Sequence, residues 1–590
     1  MLAAAIVEEV CILKKRSCKT KERKQVCMNY KVRDPEYKMI VEKNVMVTAR
    51  DGIKLAVDVY RPDAEGEFPG LFTISVYGKD TQLFKTPPQE FGGALFEASI
   101  EAGAPEYFVS RGYCYVIGDY RGIGSSEGEM PGMFSKYEGE DGYDIIEWMA
   151  QQPWCNGKIG GIGTCYFGFT QLIIAETQPP HLTCIAPFEL NFDDFYSRGF
   201  YTGGVLHLVW YGLYSGTHPC RMGLAPKNIV SAMEKELTPE ELKRRIAEAM
   251  EDPDLKQYPY LYQILCYSYK NPIIFDMLLN PLDGEFYQKR SYGNYLDKVN
   301  IPTFVGGPFH GPFGVAETSV YNKLVNVPFK KLHMFKDMDP RPWNSHREEL
   351  IQWYDYWLKG IENGALDGAK CIVEAGSGPA LELDNWPPRE EGLLGEKKFY
   401  LAQHEKLIPE FRVDLEIKEP DSFLQRPIYI KEERGMLSYK TAPLEEDMQV
   451  AGSPILKFYA SIDCRDTTWR VDLFEGGHES PWPITKSWLR AATRKRVPEE
   501  DTPWAIKHDF TVADYPIPGE IYEYEIQLNP TAYCFKAGSS IEIVISAIDL
   551  PLDETSYDEM WHYCKAQTCL HKIYRDEEHP SVLTIPVLNK

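Results

Sequence analysis

The segment Gly163-Thr164-Cys165-Tyr166-Phe167-Gly168 constrains this chain more than any other. Upstream, Lys158-Ile159-Gly160-Gly161-Ile162 is a short apolar run of strand type, and downstream Phe169 to Ala175 has helical spacing. A strand, a sharp turn and a helix therefore follow one another, with Cys165 at the tip. Glycines on both sides suit a strained turn that tolerates little bulk, and the whole reads as a nucleophile elbow carrying a thiol where most such turns carry a hydroxyl. At a helix N-terminus the dipole lowers a thiol pKa, and backbone N–H groups face any developing oxyanion. The same six residues also fit a buried cysteine in an ordinary strand-to-helix turn, so the rest of the chain has to decide.

With 590 residues the chain exceeds what one hydrophobic core can hold, and two or three domains are expected. A net charge of -23 argues against a nucleic-acid partner, which would require a basic face to displace counterions. No apolar run reaches the roughly 18 residues that a transmembrane helix needs. Glu8 and Glu9 cut short the apolar start, and no basic residue precedes it, so no secretory signal is expected. Lys14 to Lys24 is a basic patch within an N-terminal extension, residues 1–40, read as a solvated tail, with a membrane-surface or targeting element as the alternative. The 14 cysteines show no zinc-type spacing, and mostly free thiols in a reduced, cytoplasmic compartment are expected, with Cys564 and Cys569 an incidental pair. Neither a metal constellation nor a dinucleotide glycine fingerprint is present, so no cofactor is expected.

Val45 to Tyr60 alternates apolar and polar residues through Asp51-Gly52, a hairpin signature. Phe72 to Val76 and Tyr113 to Gly118 read as buried strands, and Tyr143 to Met149 as a helix. Strands alternating with helices predict a doubly wound α/β domain over 41–190 and 297–375. Between these parts, residues 191–296 read as an all-helical insertion that caps the strand ends. The α/β pattern resumes at Ile301 to Gly307 and Lys331 to Phe335, followed by a helix from Arg347 to Lys359. Residues 376–590 turn to short β segments, including Ile455 to Ala460, Tyr522 to Ile526 and Ile541 to Ile545, which read as a β-sandwich.

Several segments together resemble the cocaine esterase and X-prolyl dipeptidyl peptidase-like branch of the α/β-hydrolases. They are Gly118-Asp119-Tyr120-Arg121-Gly122, Asp141-Gly142-Tyr143-Asp144, Gln152-Pro153-Trp154, Trp353 to Gly364, Trp488-Leu489-Arg490-Ala491-Ala492, Pro518-Gly519-Glu520 and His579-Pro580-Ser581. The resemblance implies an α/β-hydrolase domain with an inserted helical cap and a C-terminal jelly roll beside the active site. It places Cys165 on the nucleophilic serine of the usual Gly-x-Ser-Tyr-x-Gly turn. Tyr166 falls on the residue whose backbone N–H helps form the oxyanion hole, and Tyr77 on a tyrosine whose hydroxyl supplies the second donor.

Two positions depart from the family pattern. Gly306-Gly307-Pro308-Phe309-His310 stands where members carry the triad acid, and Lys336-Asp337-Met338-Asp339 where they carry the catalytic histidine. Base and acid look exchanged, which makes Cys165, His310 and Asp339 the candidate triad, with Asp337 behind Asp339 and His346 the rival base. His333 falls inside a strand pattern, and Asp119 and Arg121 are expected to brace a loop by an ion pair. These roles imply an acyl-thioenzyme. The expected function is therefore acyl transfer, or thioester-dependent release or cyclisation, on a small-molecule acyl substrate that includes carrier-bound thioester donors. A serine-esterase-like ester or amide hydrolase is the alternative, as is a non-covalent cyclase, lyase or binding protein. A jelly roll and an acidic surface also permit a homodimer.

Overall fold

The computed structural model describes residues 30–82, 101–207, 228–309, 314–336, 342–412, 419–427, 434–476, 482–549, 565 and 567–589. The first body is built on a sheet of ten strands: β1 (Met39–Thr48), β2 (Lys54–Pro62), β3 (Phe68–Ser75), β4 (Cys114–Asp119), β5 (Cys155–Thr164), β6 (Leu182–Phe188), β7 (Thr303–Pro308), β8 (Lys330–Phe335), β9 (Cys371–Val373) and β10 (Leu381–Leu383). Their order across the sheet is β1-β2-β4-β3-β5-β6-β7-β8-β9-β10. The hairpin read from Val45 to Tyr60 is the β1-β2 pair, with a register shift between Glu42 and Val45. From β4 to β9 every neighbouring pair runs parallel, so their carboxyl ends lie along one edge. Ligands of open α/β sheets bind outside that edge, where the strand order reverses.

Helices α1 (Lys136–Ala150), α2 (Tyr166–Ala175), α3 (Val315–Lys323) and α4 (Arg347–Lys359) cover the sheet. Every residue of α2 is buried, which its apolar run Phe167, Phe169, Leu172, Ile173 and Ile174 allows on all sides. Polar side chains fix that helix to the sheet: Thr170 Oγ1 donates to the Ile74 carbonyl, and Gln171 Oε1 accepts the Ala186 N–H. These bonds satisfy groups that burial would otherwise leave unpaired.

Two details depart from the sequence expectations here. The insertion at 191–296 is not wholly helical, because Tyr201–Thr202 pairs with Val205–Leu206 and Ile229–Val230 pairs in parallel with Met130–Pro131. Such two-residue pairs carry no periodicity to read. The α/β sheet also runs past residue 375, since β10 adds to its edge by pairing with β9.

The C-terminal body is an all-β domain in which, among the described residues, thirteen strands pair, from Leu394–Ala402 to Val582–Leu588. It contacts the first body through backbone bonds from Arg490 N–H to the Gly203 carbonyl and from Asp283 N–H to the Phe510 carbonyl. Within it a disulfide joins Cys464 to Cys569, with Cα atoms 5.6 Å apart. Cys569 is thus covalently paired rather than incidental, and Cys564 lies outside the described residues. Seven described cysteines remain free: Cys114, Cys155, Cys165, Cys184, Cys266, Cys371 and Cys534. No helix among the described residues is long and apolar enough to cross a membrane. The basic stretch Lys14 to Lys24 also lies outside the described residues.

Candidate active site

Cys165 sits where β5 ends and α2 begins, at φ 51° and ψ -124°. A non-glycine residue held there stores roughly 1–3 kcal/mol of backbone strain, which persists only if the surroundings fix it. Two glycines provide the room. A Cβ on Gly163 would lie 2.5 Å from the Phe167 Cβ, and one on Gly168 would run into the Phe188 carbonyl oxygen. That same oxygen accepts the Cys165 N–H at 3.0 Å, so helix, turn and the end of β6 converge on one point. The thiol is half-buried and stands at the positive end of the helix.

Tyr77 follows β3, and β3 lies directly beside β5 in the sheet. Parallel neighbours bring their carboxyl ends together, which explains how residues 88 apart in sequence meet: the Tyr77 hydroxyl and the Cys165 sulfur are 3.5 Å apart. The Tyr77 ring is buried and packs edge-on against Tyr166 at 5.4 Å and Phe167 at 6.2 Å. Its N–H donates to Ser75 Oγ at 3.0 Å. Lys79, fully buried just beyond, pairs with Asp58 at 3.1 Å and donates its backbone N–H to Asp119.

Tyr166 heads α2 with its backbone N–H at the helix start, while its ring turns inward among Phe134, Phe169 and Tyr77. Its hydroxyl lies 3.1 Å from both carboxyl oxygens of Glu138, which also accepts the Phe134 N–H. Glu138 is wholly buried, and burial pushes its pKa up to about 8. Sequence reasoning missed this residue. The signal was available, because Glu138, Asp141, Ile145 and Met149 share the buried face of α1 at helical spacing.

Asp119 and Arg121 brace loops, but not by pairing with each other. Arg121 forms a fork with Asp141 and reaches Asp51 at 2.8 Å, while Asp119 accepts backbone N–H groups from Lys79 and Ser125. Burial raises the Asp119 carboxyl to about 7.

His310 follows β7 and Asp339 follows β8, strands whose carboxyl ends share the edge of the sheet that carries Cys165. His310, Asp337 and Asp339 themselves lie outside the described residues. The Gly314 N–H is held by the buried Glu317, which also accepts the Leu190 N–H at 2.7 Å. His346 caps α4, stacks on Phe335 at 4.1 Å and meets Ser345 Oγ through Nδ1. It is brought together with His333 and Glu374.

A strained residue at a strand-to-helix turn, opposite a tyrosine hydroxyl on the carboxyl edge of a sheet ordered in this way, defines an α/β-hydrolase. Residues 51–336 match the X-Pro dipeptidyl-peptidase (S15 family) profile, and residues 355–584 match the X-Pro dipeptidyl-peptidase C-terminal non-catalytic domain. A cocaine esterase of Rhodococcus sp. is 24% identical over 93% of this chain and 99% of its own length. A putative Xaa-Pro dipeptidyl-peptidase of Bacillus cereus is 23% identical over 81% and 78%. A CocE/NonD family hydrolase from Staphylococcus aureus superposes with a TM-score of 0.72 at 21% identity, covering 93% of this chain and 94% of that one. The chain belongs to the X-Pro dipeptidyl-peptidase (S15) family, and its general class is that of a hydrolase enzyme.

Proposed function

We propose that this protein is an acyl hydrolase acting on small-molecule esters, with Cys165 as its nucleophile. One observation carries the reading: the Cys165 sulfur sits at a strained elbow, 3.5 Å from the Tyr77 hydroxyl, at the head of a helix. A base, assigned from sequence to His310 with Asp339 orienting it, takes the thiol proton. The thiolate then attacks the acyl carbon, and the carbonyl π electrons move to oxygen. Tyr77 O–H and the Tyr166 N–H donate to that oxyanion. Collapse expels the alcohol, which recovers the proton, and leaves an acyl-thioenzyme that water cleaves to the acid and free thiol.

The family relatives favour hydrolysis as the overall outcome. Sulfur at position 165 favours a second reading, acyl transfer, because a thioester donor exchanges with a thiolate at nearly equal energy and the acyl group can pass to an amine or alcohol. Turnover of nitrophenyl esters, anilides and acyl thioesters, each with and without an added amine, separates the two. Hydrolysis predicts ester turnover whose rate does not depend on the amine. Acceptor-dependent acceleration, with amide as the product, would replace it by transfer, and no turnover of any acyl substrate would overturn both.

A further inference from the structure

Two histidines and a carboxylate gather where β8, β9 and the start of α4 meet. His333 lies in β8, Glu374 follows β9, and His346 caps α4. One donor atom from each falls within 4.8 Å of the other two. His333 is the informative member. It is 6% exposed, its Nε2 is buried without a hydrogen-bond partner, and Glu374 Oε1 stands 3.9 Å away, beyond hydrogen-bonding range. Its other ring nitrogen, Nδ1, meets Glu349 Oε2 at 2.8 Å, and Glu349 is held in turn by Lys331 at 2.5 Å. Glu374 is also anchored, its Oε2 accepting the Lys336 N–H at 3.0 Å.

We propose that His333, His346 and Glu374 bind a divalent cation of the zinc class. The donor set, two imidazoles and a carboxylate, suits zinc and its borderline neighbours and not calcium or magnesium, which take oxygen ligands. A histidine that ligates through one nitrogen and fixes its tautomer by a carboxylate on the other is the usual pattern at such sites, and Glu349 fills that role for His333. Two donors each about 2.0–2.2 Å from one zinc ion lie roughly 3.4 Å apart, so the 3.9 Å gap closes with a shift of about half an ångström. The ion would tie β8, β9 and the start of α4 together. Phe335, against which His346 stacks, lies 5.8 Å from Phe188, whose carbonyl holds the Cys165 N–H. The site thus buttresses the strand end leading into residues 337–341, and the inference stands whether or not Cys165 is the nucleophile.

The test uses untagged full-length protein carrying Cys165→Ser, which removes a competing thiolate, after chelator treatment and dialysis. Zinc titration by calorimetry should show one equivalent bound, with a rise in melting temperature, and cobalt should give visible d–d absorption of a four-coordinate site. His346→Gln and Glu374→Gln should each weaken zinc binding at least about tenfold and remove the cobalt bands, and Glu349→Gln should weaken it about 10–100-fold. Failure of the unsubstituted site to take up a stoichiometric ion overturns the proposal. Stoichiometric binding that survives both ligand substitutions overturns it equally.

Discussion

Two thiols on neighbouring strands have opposite surroundings. Cys184 lies within β6, fully buried, and burial pushes its thiol well above the usual range despite a contact with Trp353. Cys165 stands at the end of β5, half-buried, facing a phenol and heading a helix. The sheet that seals one sulfur in hydrocarbon presents the other at its edge. The difference in exposure follows from position along a strand, and the cost of the edge position is a backbone that two close-fitting glycines permit.

The contrast breaks most sharply if the edge sulfur proves dispensable. Cys165→Ala should lower kcat/KM for ester substrates by at least about 10³-fold with the fold retained by circular dichroism. Tyr77→Phe should reduce kcat about 10²–10³-fold with KM little changed, because one oxyanion donor is lost while the ring packing survives. Alkylation followed by peptide mass mapping should label Cys165 at least about tenfold faster than Cys184, whose labelling should wait for unfolding. Gly168→Ala forces a Cβ onto the Phe188 carbonyl oxygen and should cost about 1–3 kcal/mol in denaturant melts.

A pH slope beneath the elbow sharpens the contrast further. Glu138 is raised in the folded state to about 8, so between the ordinary glutamate range and pH 8 the unfolded chain sheds a proton that the folded chain keeps. Its contribution to stability is therefore full at acid pH and is lost as pH rises through that window. Glu138→Gln keeps an oxygen acceptor and does not titrate. Its melting temperature should fall less than that of the parent between pH 5 and 8.5, and identical slopes would refute the assignment.

Much of this was legible from residues alone. The strand-turn-helix around Cys165 is written in apolar runs and two glycines, and the order of α/β domain, insertion and β body in changes of periodicity. Tyr77 became legible only through family resemblance, since nothing local says that the strands bearing residues 77 and 165 lie side by side. Glu138 and Glu317 were missed because an acidic residue in a helical pattern reads as solvent-facing unless its neighbours on the same face are counted. The His333, His346 and Glu374 group has no sequence spacing at all, being assembled from a strand, a helix cap and a strand end. The Cys464–Cys569 disulfide escaped for the same reason, its halves lying 105 residues apart.

If the sulfur at residue 165 carries the acyl group, intact-protein mass spectrometry of an acid-quenched reaction with an activated ester should register it. The expected result is a mass increment equal to the acyl group, mapped to the peptide containing Cys165 and absent in Cys165→Ala. Steady turnover with no adduct in the parent, and undiminished turnover in the variant, would contradict it.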